Sequence, residues 1–102
     1  ELSVPSDPDN GAPYKFSLNA AYPNPFNSTT MIPFTVDASR NVSMELYNIS
    51  GRQITELLNG SMEAGNHLIS LDAEALGLSS GVYYLRLSSG VNTAKQKILY
   101  LR

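Results

Sequence analysis

What most constrains this chain is a rhythm in its apolar side chains. From about residue 30 onward they recur mostly at every second position, and clusters of Gly, Asn, Ser or Pro interrupt them every ten or so residues. A period of two belongs to a strand with one face buried, and no stretch of ten residues carries the 3.6-residue period of an amphipathic helix. Short strands separated by turn chemistry at this spacing predict an all-β sandwich or barrel.

Seven strands can be placed. The first is short, near residues 14–18. The second, 30–36, sets Ile32, Phe34 and Val36 on one face and Met31, Pro33 and Thr35 on the other. Pro33 has no N–H for a ladder, so this strand is expected at a sheet edge or locally unpaired there. The third, 42–48, points Val42, Met44 and Leu46 inward and Ser43, Glu45 and Tyr47 outward, and Asn48-Ile49-Ser50-Gly51 then turns the chain with Gly51 at positive φ. In the fourth, 52–58, Ile54 and Leu57 lie three apart, which breaks the alternation and predicts a bulge. Asn59-Gly60 and Ala64-Gly65-Asn66 read as turns, 67–72 as the fifth strand, and 73–78 as a single helical or 3₁₀ turn. The sixth strand, 82–87, and the seventh, about 94–101, complete the set. The expected core is Ile32, Phe34, Val42, Met44, Leu46, Ile69, Leu71, Tyr83, Leu85 and Leu87.

Residues 1–12 read differently. They are rich in Asx, Pro and Gly, and Asp7-Pro8-Asp9-Asn10-Gly11 is turn chemistry. We read them as a linker from an upstream domain, leaving 13–102 as the folded domain. The chain starts at Glu1 without a basic-then-apolar leader, so it reads as a piece of a longer polypeptide.

Composition enters as a set of exclusions. A length of 102 residues supports one core and not two full domains. Seven Lys plus Arg against nine acids, net −2, weigh against a duplex nucleic-acid binder. No apolar run approaches the roughly 20 residues of a spanning helix, so the chain is not expected to cross a membrane. With no Cys, disulfides, thiolate metal sites and Cys nucleophiles are excluded.

Catalytic chemistry finds little purchase. His67 is the only base of its kind and shares a face with Ile69 and Leu71 after a turn, as an edge-of-core histidine does. Glu45, Glu56 and Glu63 fall where strands and loops face solvent, and a glycosidase pair must instead converge in a cleft. Asp7, Asp9 and Asn10 have the spacing that opens a calcium loop, but no bidentate Glu stands at the twelfth place. No enzyme activity, cofactor or metal is expected. Tyr22, Tyr47, Tyr84 and Tyr100 could form a sugar platform, although tyrosine is an ordinary strand residue. Lys95 and Lys97, flanking Gln96, put two charges on one face of the last strand, a device that guards an edge.

One segment stands apart: Tyr22-Pro23-Asn24-Pro25-Phe26-Asn27, a loop stiffened by two prolines. In it the sequence resembles the type A C-terminal sorting domains of the type IX (Por) secretion system. The resemblance runs on through Phe16-Ser17-Leu18 before this loop, Tyr47-Asn48-Ile49-Ser50-Gly51, Gly65-Asn66-His67 through Asp72, Leu78-Ser79-Ser80-Gly81-Val82-Tyr83, and Thr93-Ala94-Lys95-Gln96-Lys97-Ile98-Leu99. It covers about residues 14–102, with Leu71 where many relatives carry Trp.

The resemblance implies a seven-stranded antiparallel Ig-like β-sandwich that sorts a larger cargo and does no chemistry itself. The cargo domain would precede it in the same parent chain and pass through the periplasm of a Gram-negative bacterium. An outer-membrane translocon would then recognise the folded domain and deliver the cargo to the cell surface or medium. A sortase-like peptidase would cut in the linker, which is exposed and easily cleaved. The terminal hairpin, 82–101, is the expected recognition element because an exposed edge strand accepts partner backbone. Gly81, Tyr83, Lys95 and Lys97 are its candidate residues, with Tyr22 to Asn27 and Gly51 as structural motif. A second reading, from another class, is an accessory sandwich of a secreted glycoside hydrolase that spaces the enzyme or binds carbohydrate.

Overall fold

The computed structural model describes residues 14–102. The linker reading and the Asp7, Asp9 and Asn10 spacing lie outside these residues. Seven strands follow in order: β1 (Ser17–Leu18), β2 (Thr29–Val36), β3 (Arg40–Asn48), β4 (Gln53–Met62), β5 (Gly65–Asp72), β6 (Gly81–Ser89) and β7 (Asn92–Tyr100). They form a three-stranded sheet, β1-β2-β5, and a four-stranded sheet, β4-β3-β6-β7, with every strand pair antiparallel. β3–β4 and β6–β7 are hairpins, while β2–β3, β4–β5 and β5–β6 cross between sheets. This connectivity is that of an Ig-like sandwich, in which hairpins alternate with crossings over one shared core.

The core is the inward half of the alternation. Ile32, Phe34 and Val36 of β2 face Val42, Met44 and Leu46 of β3, with Leu71, Leu85, Leu87 and Ile98 filling between them, all 1% exposed or less. Of the expected core, Tyr83 keeps 7% exposure and Ile69, on the outer strand of its sheet, is only partly buried. Four large residues were not anticipated: Phe26, Leu78, Ile98 and Tyr100. Tyr100, expected at the surface, is buried with its ring stacked on Phe26, centroids 5.2 Å apart.

Pro33 sits inside the ladder without breaking it. Tyr22 and Met31 exchange both backbone hydrogen bonds, and Asn19 N–H donates to Pro33 C=O at 2.9 Å. The odd residues of β2 therefore aim their backbone toward β1, and the missing N–H of Pro33 falls beyond the short β1 while the even residues hold β5. β4 carries the expected irregularity twice. Its register against β3 shifts between Met44 and Glu45 and again between Leu46 and Tyr47, leaving Leu57 and Ile54 as the extra residues. These two apolar residues are the ones that broke the alternation. β4 also runs on through Asn59-Gly60 to Met62, so that pair is strand and not turn, because Val42 and Ser43 continue to pair with it. Residues 73–78 form turns closed by Asp72 and short backbone bonds, with no helix assigned.

Glu45 corrects a solvent-facing expectation. It lies on the outer face of the four-stranded sheet yet is only 9% exposed, with Arg86 of β6 paired beside it at 3.8 Å. His67 behaves as an edge-of-core residue. Its ring stacks on Phe34 and its Nε2 lies 2.7 Å from Glu63 O.

Candidate functional site: the proline loop on the terminal strand

The segment from Asn19 to Ser28 links β1 to β2, and it crosses the open side of the sandwich to lie along the outer edge of β7. Its stem is closed by the Tyr22–Met31 pair, and buried Thr30 donates its hydroxyl to Pro23 O at 2.7 Å. Both proline peptide bonds in it, Tyr22-Pro23 and Asn24-Pro25, are cis.

Asn24 then imitates a strand residue with its side chain. Its Nδ2 donates to Lys97 O at 3.2 Å, and its Oδ1 accepts from Leu99 N at 2.9 Å. Two residues on, the backbone takes over: Phe26 N–H donates to Leu99 O at 3.0 Å and Leu101 N–H donates to Phe26 O at 2.8 Å. A second clasp comes from Gln96, whose Nε2 donates to Asn19 O and whose Oε1 accepts from Ala21 N, each at 2.7 Å. Phe26 completes the arrangement by plugging into the core against Tyr100. Pro23 and Pro25 have no N–H to offer, and the donors that reach the strand from this stretch are the Asn24 side-chain amide and the Phe26 N–H.

This geometry corrects the expectation of an open terminal edge. From Lys97 to Leu101 the outward backbone groups of β7 are largely taken by residues 24 and 26, so that stretch cannot accept a partner strand. What β7 still presents is side chains. Lys95 and Lys97 are exposed on the outer face, Lys95 opposite Arg86 and Lys97 opposite Tyr84. An open groove of about 480 Å³ runs beside them, lined by Tyr47, Gly51, Tyr84, Leu85, Arg86 and Lys95. Gly51, at φ +87 in the β3–β4 hairpin, sits at its rim, held by the Asn48 carbonyl and by Asn48 Oδ1 bonds to Ser50 and Arg52.

The four candidate recognition residues do not share a face. Tyr83 turns into the core and its hydroxyl donates to Ser79 O at 2.7 Å, while Gly81, at φ +155, starts β6 opposite Tyr100. Both shape the domain's end, whereas Lys95 and Lys97 stand exposed on the outer face. Asn27 is exposed beside the buried Phe26. Gln96 is the residue that sequence reasoning passed over: it stood between two lysines, and nothing local marks a glutamine whose partner lies 75 residues away.

The arrangement is a β-sandwich whose proline loop is clasped to its last strand, with Arg86, Lys95 and Lys97 on the outer face beside it. The model of the secretion system C-terminal sorting domain matches residues 20–100, and the chain belongs to that family. It is a sorting domain of type IX secretion. Among solved structures, the crystal structure of dimeric latent PorU from Porphyromonas gingivalis is similar at TM-score 0.63 and 18% identity, covering 88% of this chain and 10% of that one. The chain thus spans about a tenth of the PorU chain it matches. The Ig1 domain of mouse SynCAM 2 aligns over 88% of this chain and 94% of its own, at 13% identity and TM-score 0.38. No curated protein sequence matches the chain.

Proposed function

We propose that the domain acts without chemistry of its own, as a folded label that the secretion machinery reads on its outer β6–β7 face. One observation carries this reading: Lys95 and Lys97 project side by side from a strand held by β6 on one side and by the Asn24 loop on the other. The signal therefore survives folding in a fixed geometry, and exposed charge of one sign favours fast, selective docking on an acidic surface. An outer-membrane translocon is the reader, and a peptidase that later separates cargo from label acts in the residues preceding the sandwich. The upstream cargo in the same parent chain travels through the periplasm and reaches the cell surface or medium.

The test is a fusion of residues 1–102 to a periplasmic reporter in a host with type IX machinery. The intact fusion is expected at the surface, and Lys95→Ala with Lys97→Ala is expected to lower surface delivery several-fold while the melting temperature barely moves. Unchanged delivery by the double variant removes these lysines from the recognised face. An intact fusion that stays periplasmic removes the recognition role from the domain.

A further inference from the structure

We propose that the outer edge of β5 is a strand-acceptor site for an extended, uncharged segment of a partner protein that carries Lys or Arg at both of its ends. This site lies on the other sheet from the basic β7 face and does not depend on how that face is used.

The sandwich has four sheet edges, and three are guarded. β7 is clasped from Lys97 to Leu101 by residues 24 and 26, and its remaining stretch carries the charge of Lys95. β1 is two residues long. β4 carries two bulges and the charge of Glu56, both of which disrupt pairing along an edge. β5 has none of these devices. It is eight residues long, pairs without a register shift along β2, and holds neither proline nor a formally charged side chain from Gly65 through Leu71. Because the even residues of β2 bond to Gly65, His67, Ile69 and Leu71, the backbone N–H and C=O groups of Asn66, Leu68 and Ser70 point outward. Among the described residues none of them has a hydrogen-bond partner. The side chains at this edge are also prepared for company. Leu68 is 50% exposed opposite Pro33, and Met31 and the 53%-exposed Tyr22 continue the apolar strip across the outer face.

The charges at the ends of the edge choose the occupant. Glu63 precedes β5, and Asp72 and Glu74 close it, all exposed. A second copy of this chain, paired antiparallel about Leu68, would set Glu63 of each copy beside Asp72 and Glu74 of the other, so like charges oppose that pairing at both ends. A segment that is uncharged over about five residues and basic at its two ends satisfies the backbone groups, covers Leu68 and neutralises both acidic ends.

The 102-residue chain is titrated with the peptide Lys-Val-Thr-Val-Thr-Val-Lys and with its Glu-flanked counterpart, and amide hydrogen exchange is followed by NMR. The Lys-flanked peptide is expected to bind at least fivefold more tightly at low salt, with the difference shrinking in 0.5 M salt (about 4 Å of screening length). The Asn66, Leu68 and Ser70 amides are expected to gain protection. Ser70→Pro removes one outward donor and leaves the β2 bonds of Ile69 and Leu71 in place, and is expected to weaken binding about tenfold. A peptide N-methylated on the residues facing β5 tests the same bonds without touching the protein and is expected to lose binding equally. Unprotected Asn66, Leu68 and Ser70 amides at millimolar peptide, or equal binding of the N-methylated peptide, overturns the proposal. A concentration-dependent dimer abolished by Ser70→Pro assigns the edge to a second copy. Protection already present without peptide, and lost on deleting residues 1–12, assigns it to the chain's own leading segment. Either result overturns the partner proposed here.

Discussion

Two of the edge strands, β7 and β5, have nearly the same length, nine and eight residues, and opposite fates. β7 meets a loop that supplies a side-chain amide, a backbone peptide and an aromatic plug, while the outward backbone groups of Asn66, Leu68 and Ser70 in β5 have no hydrogen-bond partner among the described residues. The contrast teaches that an edge is not defined by its position in the sheet. A strand is open only where its outward backbone groups lack partners, and a loop from the opposite sheet can close it as well as a neighbouring strand can.

The contrast can be broken most severely at the plug. Phe26→Ala removes a ring that is 2% exposed and stacked on Tyr100, and is expected to cost about 3–5 kcal/mol in denaturant unfolding. A loss below about 1 kcal/mol would mean that the loop rests on β7 without anchoring it. Asn24→Ala attacks the clasp more gently. It deletes two hydrogen bonds at an exposed position, for an expected loss of about 1–2 kcal/mol, and the Leu99 amide is expected to exchange faster while Leu85 stays protected. If Leu99 exchange is unchanged, Phe26 alone holds the edge shut. At the other edge, Leu68→Ser changes a half-exposed side chain with no strand on its outer side and is expected to shift stability by only about 0.5 kcal/mol. A larger loss would show that Leu68 is already covered, and the two edges would then differ less than their contacts suggest.

Much of this was legible in the chain because the physics was local. Period two placed every strand and the inward faces of β2, β3 and β6, and the Ile54–Leu57 irregularity marked the two bulges. The Tyr22–Asn27 segment announced itself by its prolines. What it binds did not, because Asn24, Gln96 and Tyr100 take their roles from partners some 73 to 77 residues away, and such pairings leave no periodic trace. Tyr100 looked like any strand tyrosine until Phe26 was seen against it. Glu45 failed for a related reason: alternation assigned it correctly to the outer face, but it cannot report that neighbouring strands bury that position.

The clasp also sets an order of events. A loop formed from residues 19–28 has no partner for Asn24 or Phe26 until residues 97–101 are present on the same side of any barrier and folded against β6. Contacts of such sequence separation form late, since the chain between them must be ordered first. A polypeptide emerging from a ribosome or a channel thus carries its proline loop unlatched until its last strand arrives. Closure of the sandwich reports that the whole domain has come through.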